Sequence, residues 1–403
     1  MKALIHYIDL LIVSSCLACS PLPGYAQATH APTPHNVSAA QETVTPDPYL
    51  DQVIATVETR KITRRDVARL YLDFNPTALA TDTTSAGIQT TKPTGADITD
   101  LAPQIFDKKG KKAPARKILW DVLASTTELH RLAERIFSTH PVGLDDCISI
   151  LMQTDALRTA AERRHVPARR ADIEAEVHVV LDRIRASRGL PKEAGMSDRV
   201  LAQNLVTSYK LHYQTVEIRM LKRNLILSDL NDRLGHPPQA DDFYSAHVIL
   251  LPVEIKNPAS PAADWEQGRQ QAETLRTDII AKRKTFEEAA KQLSDDPSAR
   301  FGGDAGALVR TLLPTDLEQA VLRLQPGEIT PPIRVDAIKA GYVLLRFDKL
   351  GRDLTDAERQ RALALCCSSR TREQNVLARV LKDIDWSTTV GKPPEWFRKP
   401  ATN

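Results

Sequence analysis

Apolar and polar positions along the chain change period several times. From Tyr244 to Leu251 the run is rich in apolar and β-branched residues and is closed by Pro252, which predicts a buried strand with His247 inside it. Pro258 and Pro261 mark a loop. From Trp265 to Lys284, Ala272, Leu275, Ile279 and Ile280 fall at helical spacing with charges opposite, which predicts an amphipathic helix. Thr285-Phe286-Glu287-Glu288 has the form of a capping box and opens a short helix to Leu293. Ser294 to Ser298 breaks that helix, and the three glycines between Phe301 and Gly306 supply turns. A short strand from Ala307, a third helix opening at Pro314-Thr315, a turn at Pro326-Gly327 and a strand from Tyr342 to Phe347 complete a one-sheet unit.

The flanking segments are mostly helical in pattern. Val53 to Val57 predicts a strand, and Thr63 is the N-cap of a helix with Asp66 in its first turn. Residues 76–114, rich in Thr, Gly, Pro and Lys, predict an exposed insertion whose run from Lys108 to Lys112 is a solvated face. Helical spacing resumes at Ala115 and runs through Ile118, Leu129, Ile136, Ile148, Leu157, Ile173, Leu181, Leu211 and Leu225. Pro237-Pro238 predicts a semi-rigid boundary. After Leu350, Thr355 caps a terminal helix whose apolar positions, Ala362, Leu365, Val376, Leu377 and Leu381, are too few to stand alone. The expected domains are therefore 1–28 as a leader, 29–50 as a flexible tether, 51–236 as a helical domain, 237–350 as the one-sheet unit and 351–403 as a helix packing back on the N-terminal domain.

The leader is open to three readings. Met1-Lys2, a mostly apolar stretch to Ala18 and the Ala26-Gln27-Ala28 ending fit a secretory signal peptide cleaved after Ala28. Val13-Ser14-Ser15-Cys16 fits lipoprotein processing with Cys16 as the modified first residue. An uncleaved anchor comes third, because the apolar run falls short of the roughly 20 residues a membrane span needs. All three place the body outside the cytoplasmic membrane.

Charge and cysteine content narrow the function. A net charge of +3 on 403 residues, without a basic stripe interleaved with aromatics, argues against nucleic acid as a partner. Beyond the leader only Cys147, Cys366 and Cys367 remain, with no Cys-x-x-Cys and no histidine at ligand spacing from the vicinal pair, so the pattern implies no metal site. Burial on helix faces is one reading of these cysteines, and a bridge from Cys147 to Cys366 or Cys367 is the other.

Six pieces of the one-sheet unit carry a resemblance. They are Ala246-His247-Val248-Ile249-Leu250, Phe286-Glu287-Glu288-Ala289-Ala290, Leu293 to Ser298, Gly302-Gly303-Asp304-Ala305-Gly306, Leu324-Gln325-Pro326-Gly327-Glu328-Ile329 and Gly341-Tyr342-Val343-Leu344. In this order they resemble the parvulin-type peptidyl-prolyl cis-trans isomerases. The segment from Val53 to Val67, with its Ile62-Thr63 and Asp66-Val67, resembles the start of the chaperone domain in SurA-like and PrsA-like exported foldases.

The resemblance implies an α+β protein: a helical chaperone domain built from both chain ends, with an inserted parvulin-like α/β module, a small antiparallel sheet flanked by helices. It implies a periplasmic isomerase and chaperone without a cofactor, whose partners are unfolded polypeptides with X-Pro segments and which meets a membrane only through a lipid anchor. The alternative is a non-catalytic periplasmic chaperone whose module only binds peptide. An X-Pro bond turns over a barrier of roughly 18–20 kcal/mol because amide resonance must be lost. A dry pocket for the ring, with polar groups that favour the twisted amide, lowers it without nucleophile or metal. By motif position His247 is the first of two facing histidines and Asp296 the acidic group near the carbonyl. Leu313 and Leu317 form the pocket wall, with Ala305 and Val343 in the same substrate-binding set. Four positions depart from the family pattern: Val343 stands at the second histidine, Ala305 at a leucine, Leu317 at the pocket phenylalanine and Ala340 at a hydroxyl residue. The pattern implies that a histidine at 343 would face His247.

Overall fold

A computed structural model describes residues 46–75, 126–187, 209–256, 261–336 and 340–390, with short pieces at 90–91, 104–106 and 112–113 and single residues 198 and 201. The expected leader, most of the tether and most of the insertion at 76–114 lie outside the described residues. The short pieces pair as a three-stranded antiparallel sheet, β3 (Thr90–Thr91), β4 (Gln104–Phe106) and β5 (Lys112–Ala113). Among the described residues no helix is long and apolar enough to cross a membrane.

The chain divides into two compact units, one of the described residues of Thr29–Leu225 and Gln374–Asn403, the other of Ile226–Glu373. In the first, β1 (Val53–Val57) pairs antiparallel with β2 (Arg60–Thr63) on one edge and with β10 (Trp386–Thr388) on the other. α1 (Arg64–Phe74) starts at a reciprocal cap: the Thr63 hydroxyl accepts from the Asp66 amide, and the Asp66 carboxylate accepts from the Thr63 amide at 3.0 Å. Its face of Val67, Ala68, Leu70 and Tyr71 is buried in a core shared with α2 (Thr126–Thr139) and α3 (Leu144–Arg163) through Leu129, Leu132, Ile148 and Leu157. Leu377, Leu381 and Ile384 close this core from the far end of the sequence. Each fully buried leucine or isoleucine contributes about 1.5–3 kcal/mol. α4 (Arg170–Ser187) buries Ile173, Val177 and Leu181 against Val216 on α5 (Tyr209–Leu234).

Two divisions separate the units. The first lies between Leu225 and Ile226, inside α5, because apolar positions continue through Ile226 and Leu230 and the helix ends before Pro237. The segment 351–403 does not go back in one piece. α9 (Asp356–Ser368) belongs to the second unit, and the division falls inside α10 (Arg370–Val380) after Glu373. The disulfide reading is not met: Cys147, Cys366 and Cys367 are free thiols, Cys147 and Cys366 buried and Cys367 half-buried. Burial pushes the Cys147 and Cys366 thiols up, which leaves them unreactive.

The second unit is built on an antiparallel sheet of order β7-β6-β9-β8, with β6 at Phe243–Pro252, β7 at Asp304–Val309, β8 at Ile333–Val335 and β9 at Gly341–Leu350. Side chains alternate along a strand, so each strand feeds two faces. One face holds Tyr244, Ala246, Val248 and Leu250 of β6 with Val343, Leu345 and Phe347 of β9, and is covered by α8 (Thr315–Val321) through Leu317 and Val321. The other holds Ile249, Leu251 and Leu344, covered by α6 (Ala262–Ile280) through Leu275 and Ile279 and by α7 (Phe286–Leu293) through Phe286, Ala289 and Ala290. α7 starts at the predicted capping box, with the Glu288 amide donating to Thr285 Oγ1 at 3.1 Å and the Thr285 amide donating to Glu288.

Candidate functional site

The apolar wall assembles on the α8 face. Leu317 and Val343 are buried in one cluster, and the half-buried Leu312 and Leu313 pack against it. This brings three of the sequence-predicted substrate residues, Leu313, Leu317 and Val343, together. Ala305 is outside that cluster. It sits half-buried on β7 beside Gly306, where the pairing with β6 shifts register between Ser245 and His247, and the Asp304 carboxylate holds the bend by accepting from the Gly306 amide at 2.8 Å.

His247 is not part of this wall. Its ring meets Phe286 edge-on at 6.0 Å between centroids, on the face covered by α6 and α7, and its cross-strand partner is Arg346. Val343 pairs instead with Leu250 on the opposite face. The expectation that position 343 faces His247 is therefore not how the structure places the two. Val343 and Arg346 are three positions apart, an odd offset, and the period of two sends them to opposite sides.

What meets His247 is an ionic network that motif position did not indicate. Between Ala246↔Phe347 and Ser245↔Lys349 the register of β9 shifts, leaving Asp348 as a bulged residue without a Cα partner. Its Oδ2 lies 2.6 Å from His247 Nδ1, and its Oδ1 accepts from Arg346 Nε at 2.8 Å. Arg346 Nη1 continues to Glu287 Oε1 on α7 at 2.8 Å, with the guanidinium 5.1 Å above the Phe286 ring. The side chains of His247, Arg346 and Asp348 are only 16%, 19% and 20% exposed. Burial would raise the Asp348 carboxyl, but the hydrogen bonds and charges of His247 and Arg346 outweigh it and hold the carboxyl below the usual range. Burial likewise opposes ionisation of Glu287, and its bond to Arg346 again wins and lowers it. A carboxylate can only accept, so His247 donates through Nδ1 and is left with Nε2 as its remaining polar atom. No sequence signal indicated this network, because both the register of His247 with Arg346 and the bulge at Asp348 come from strand pairing.

Asp296 has a local role. It caps a single-turn 3-10 helix at Pro297–Phe301, its Oδ1 accepting from the Ser298 amide at 2.8 Å and the Ser298 hydroxyl at 2.5 Å. The turn is tied to β6, since Ser294 Oγ accepts from the Leu250 amide and the Asp295 amide donates to the Leu250 carbonyl. Asp296 and His247 are not joined by a hydrogen bond. One face of the sheet thus carries the apolar cluster and the other the charge network.

This sheet, with one helix on one face and two on the other, carries a family signature. Residues 247–349 match the model of the Rotamase family, the PPIC-type PPIASE domain, and form a parvulin-type peptidyl-prolyl isomerase domain. Among curated proteins the chain is similar to Chaperone SurA of Burkholderia thailandensis, 36% identical over 82 residues, which are 20% of this chain and 18% of that one. It is also similar to Chaperone SurA of Photorhabdus laumondii subsp. laumondii, 30% identical over 150 residues, 36% of this chain and 32% of that one. The matches thus span less than a third of the relatives' own length. Among solved structures, the peptidylprolyl isomerase PrsA from Bacillus anthracis aligns at 16% identity and a TM-score of 0.35, over 58% of this chain and 96% of that one.

Proposed function

We propose that this protein is an exported folding factor that binds X-Pro segments of unfolded polypeptides on the α8 face of its parvulin-type domain and speeds their cis-trans isomerisation. The observation that carries the reading is the cluster of Leu313, Leu317 and Val343 on a sheet whose residues 247–349 match the isomerase family. Burying the proline ring there removes water from the amide, and the dry setting favours the less polar, twisted state over the planar one. The helical unit, SurA-like at its start, holds client segments through apolar contact. The leader pattern supports a periplasmic protein that begins at Thr29 after cleavage. Intact-mass analysis of the exported protein tests this, and a diacylglyceryl group on Cys16 would replace it with a lipid anchor.

A second reading, a chaperone whose module binds peptide without catalysis, is favoured by two placements. His247 lies on the face away from the apolar wall, and Asp296 Oδ1 is engaged in its own turn. A protease-free prolyl isomerisation assay on the full chain, run beside a binding measurement with the same peptide, separates the two. Binding with no acceleration leaves the second reading standing, and no binding removes both.

A further inference from the structure

Arg372 lies on α10, beyond the end of the family match, and is among the few charged side chains of the described residues to be nine-tenths buried. Its guanidinium makes two hydrogen bonds, and both go to one residue 61 positions earlier: Nη1 donates to the Thr311 carbonyl at 3.0 Å and Nη2 to Thr311 Oγ1 at 3.1 Å. Thr311 has φ of 71°, in the left-handed region that a β-branched residue avoids. Such a conformation persists only where the surroundings hold it. Here they do so at every polar atom, because the Thr311 amide donates to Glu318 Oε1 at 2.6 Å while Arg372 occupies the other two. Glu318 is on α8 next to Leu317, and Thr311 is followed directly by Leu312 and Leu313. The loop that delivers one pocket leucine and the helix that delivers the other are thus fastened to the same residue.

We propose that Arg372 is a positioning residue for the X-Pro site, fixing Thr311 in its left-handed conformation so that Leu313 stands beside Leu317. The inference deepens the function proposed above and rests on it for the identity of the ligand. Arg372 touches no ligand itself. Its effect passes through Thr311 to the wall, and a small displacement of a positioning contact is enough to lower affinity or rate. An isomerase fragment cut at the end of the family match would lack this contact.

The test uses the full chain and a labelled Ala-Leu-Pro-Phe peptide, with hydrogen exchange of backbone amides measured in parallel. In Arg372→Ala the amides of Leu312 and Leu313 are expected to exchange faster while the β6-β9 ladder is unchanged, and the peptide to bind about tenfold more weakly, the scale of a lost charge-assisted hydrogen bond. Arg372→Lys keeps the charge without the two-pronged geometry and is expected to fall between. Adding Thr311→Gly to Arg372→Ala should recover most of the affinity, because glycine holds a positive φ unaided. A merely structural arginine would show no such rescue. Unchanged exchange at Leu312 and Leu313, or faster exchange with unchanged peptide affinity, overturns the proposal. A wild-type chain that binds no such peptide overturns instead the function proposed above, and the exchange comparison alone then decides whether Arg372 holds the loop.

Discussion

His247 Nδ1 and Asp348 Oδ2 lie 2.6 Å apart because a one-residue bulge in β9 turns Asp348 out of the ladder and toward the histidine. The carboxyl of Asp348 is held below its usual value in the folded protein, so its contribution to stability is present above the unfolded value of about 3.9 and disappears as pH falls through the folded one. Asp348→Asn is therefore expected to lower stability at pH 7 by about 1.5–3 kcal/mol, the range for a hydrogen bond to a charged group. The gap between wild type and variant should close as pH is taken below about 4. Thermal melts at a series of pH values check this, and a gap that stays constant down to the acid limb would show that the carboxylate is not its source.

Val343→His is expected to bring no gain in isomerisation or peptide affinity. Position 343 is buried in the apolar cluster, on the face away from His247. An imidazole there meets Leu317 and Leu345, and burying a polar group without a partner costs about 1–3 kcal/mol. Equilibrium unfolding reads the loss. A variant that turns over peptide faster than wild type would mean that the two positions do meet.

Leu313→Ala probes the wall with little damage to the fold, since Leu313 is only half-buried while Leu317 is at the core. Loss of its side chain is expected to weaken binding of a proline peptide by about tenfold, from the apolar area no longer covered. Stability should fall by less than the roughly 2–5 kcal/mol of a fully buried Leu→Ala. Calorimetric titration beside a denaturant melt separates the two effects, and an unchanged affinity would move the peptide site elsewhere.

Gly303→Ala and Gly306→Ala should differ although both glycines have positive φ. A Cβ at Gly303 would stand 2.6 Å from the Val248 carbonyl oxygen, next to the strand that carries His247, whereas one at Gly306 meets nothing within 4 Å. The Gly306 variant should lose about 1 kcal/mol from backbone conformation alone. The Gly303 variant should lose about 3 kcal/mol or more, because backbone must move as well. Chemical denaturation of the two variants checks the order, and equal losses would mean that the Gly303 contact is not close.

The elements of the isomerase domain were legible because each carried a local signal. The capping box at Thr285 forms as read, and outside this domain the caps read at Thr63 and Thr355 prove to be capping boxes too, completed by Asp66 and Glu358. The strand around His247, the glycine turn and the helix at Thr315 lie within a few residues of expectation. β8 was not read, because a three-residue strand has no period to detect. Which face His247 takes was not legible from motif order, since a single residue of register decides it and the bulge at Asp348 leaves no mark in composition. The packing division inside α5 has no local mark of its own. Pro237-Pro238 is a strong local signal, but packing places the division eleven residues earlier, in the middle of an unbroken helix.

The pairing of β1 with β10 also sets an order of assembly. Thr56 and Ser387 share a hydrogen bond although they lie 331 positions apart, so β1 has no neighbour on that side until Ser387 has left the ribosome. The second unit ends at Glu373, ahead of β10. Domains fold as units as they emerge. The protein therefore acquires its inner module first, and the unit encoded first is the last to close.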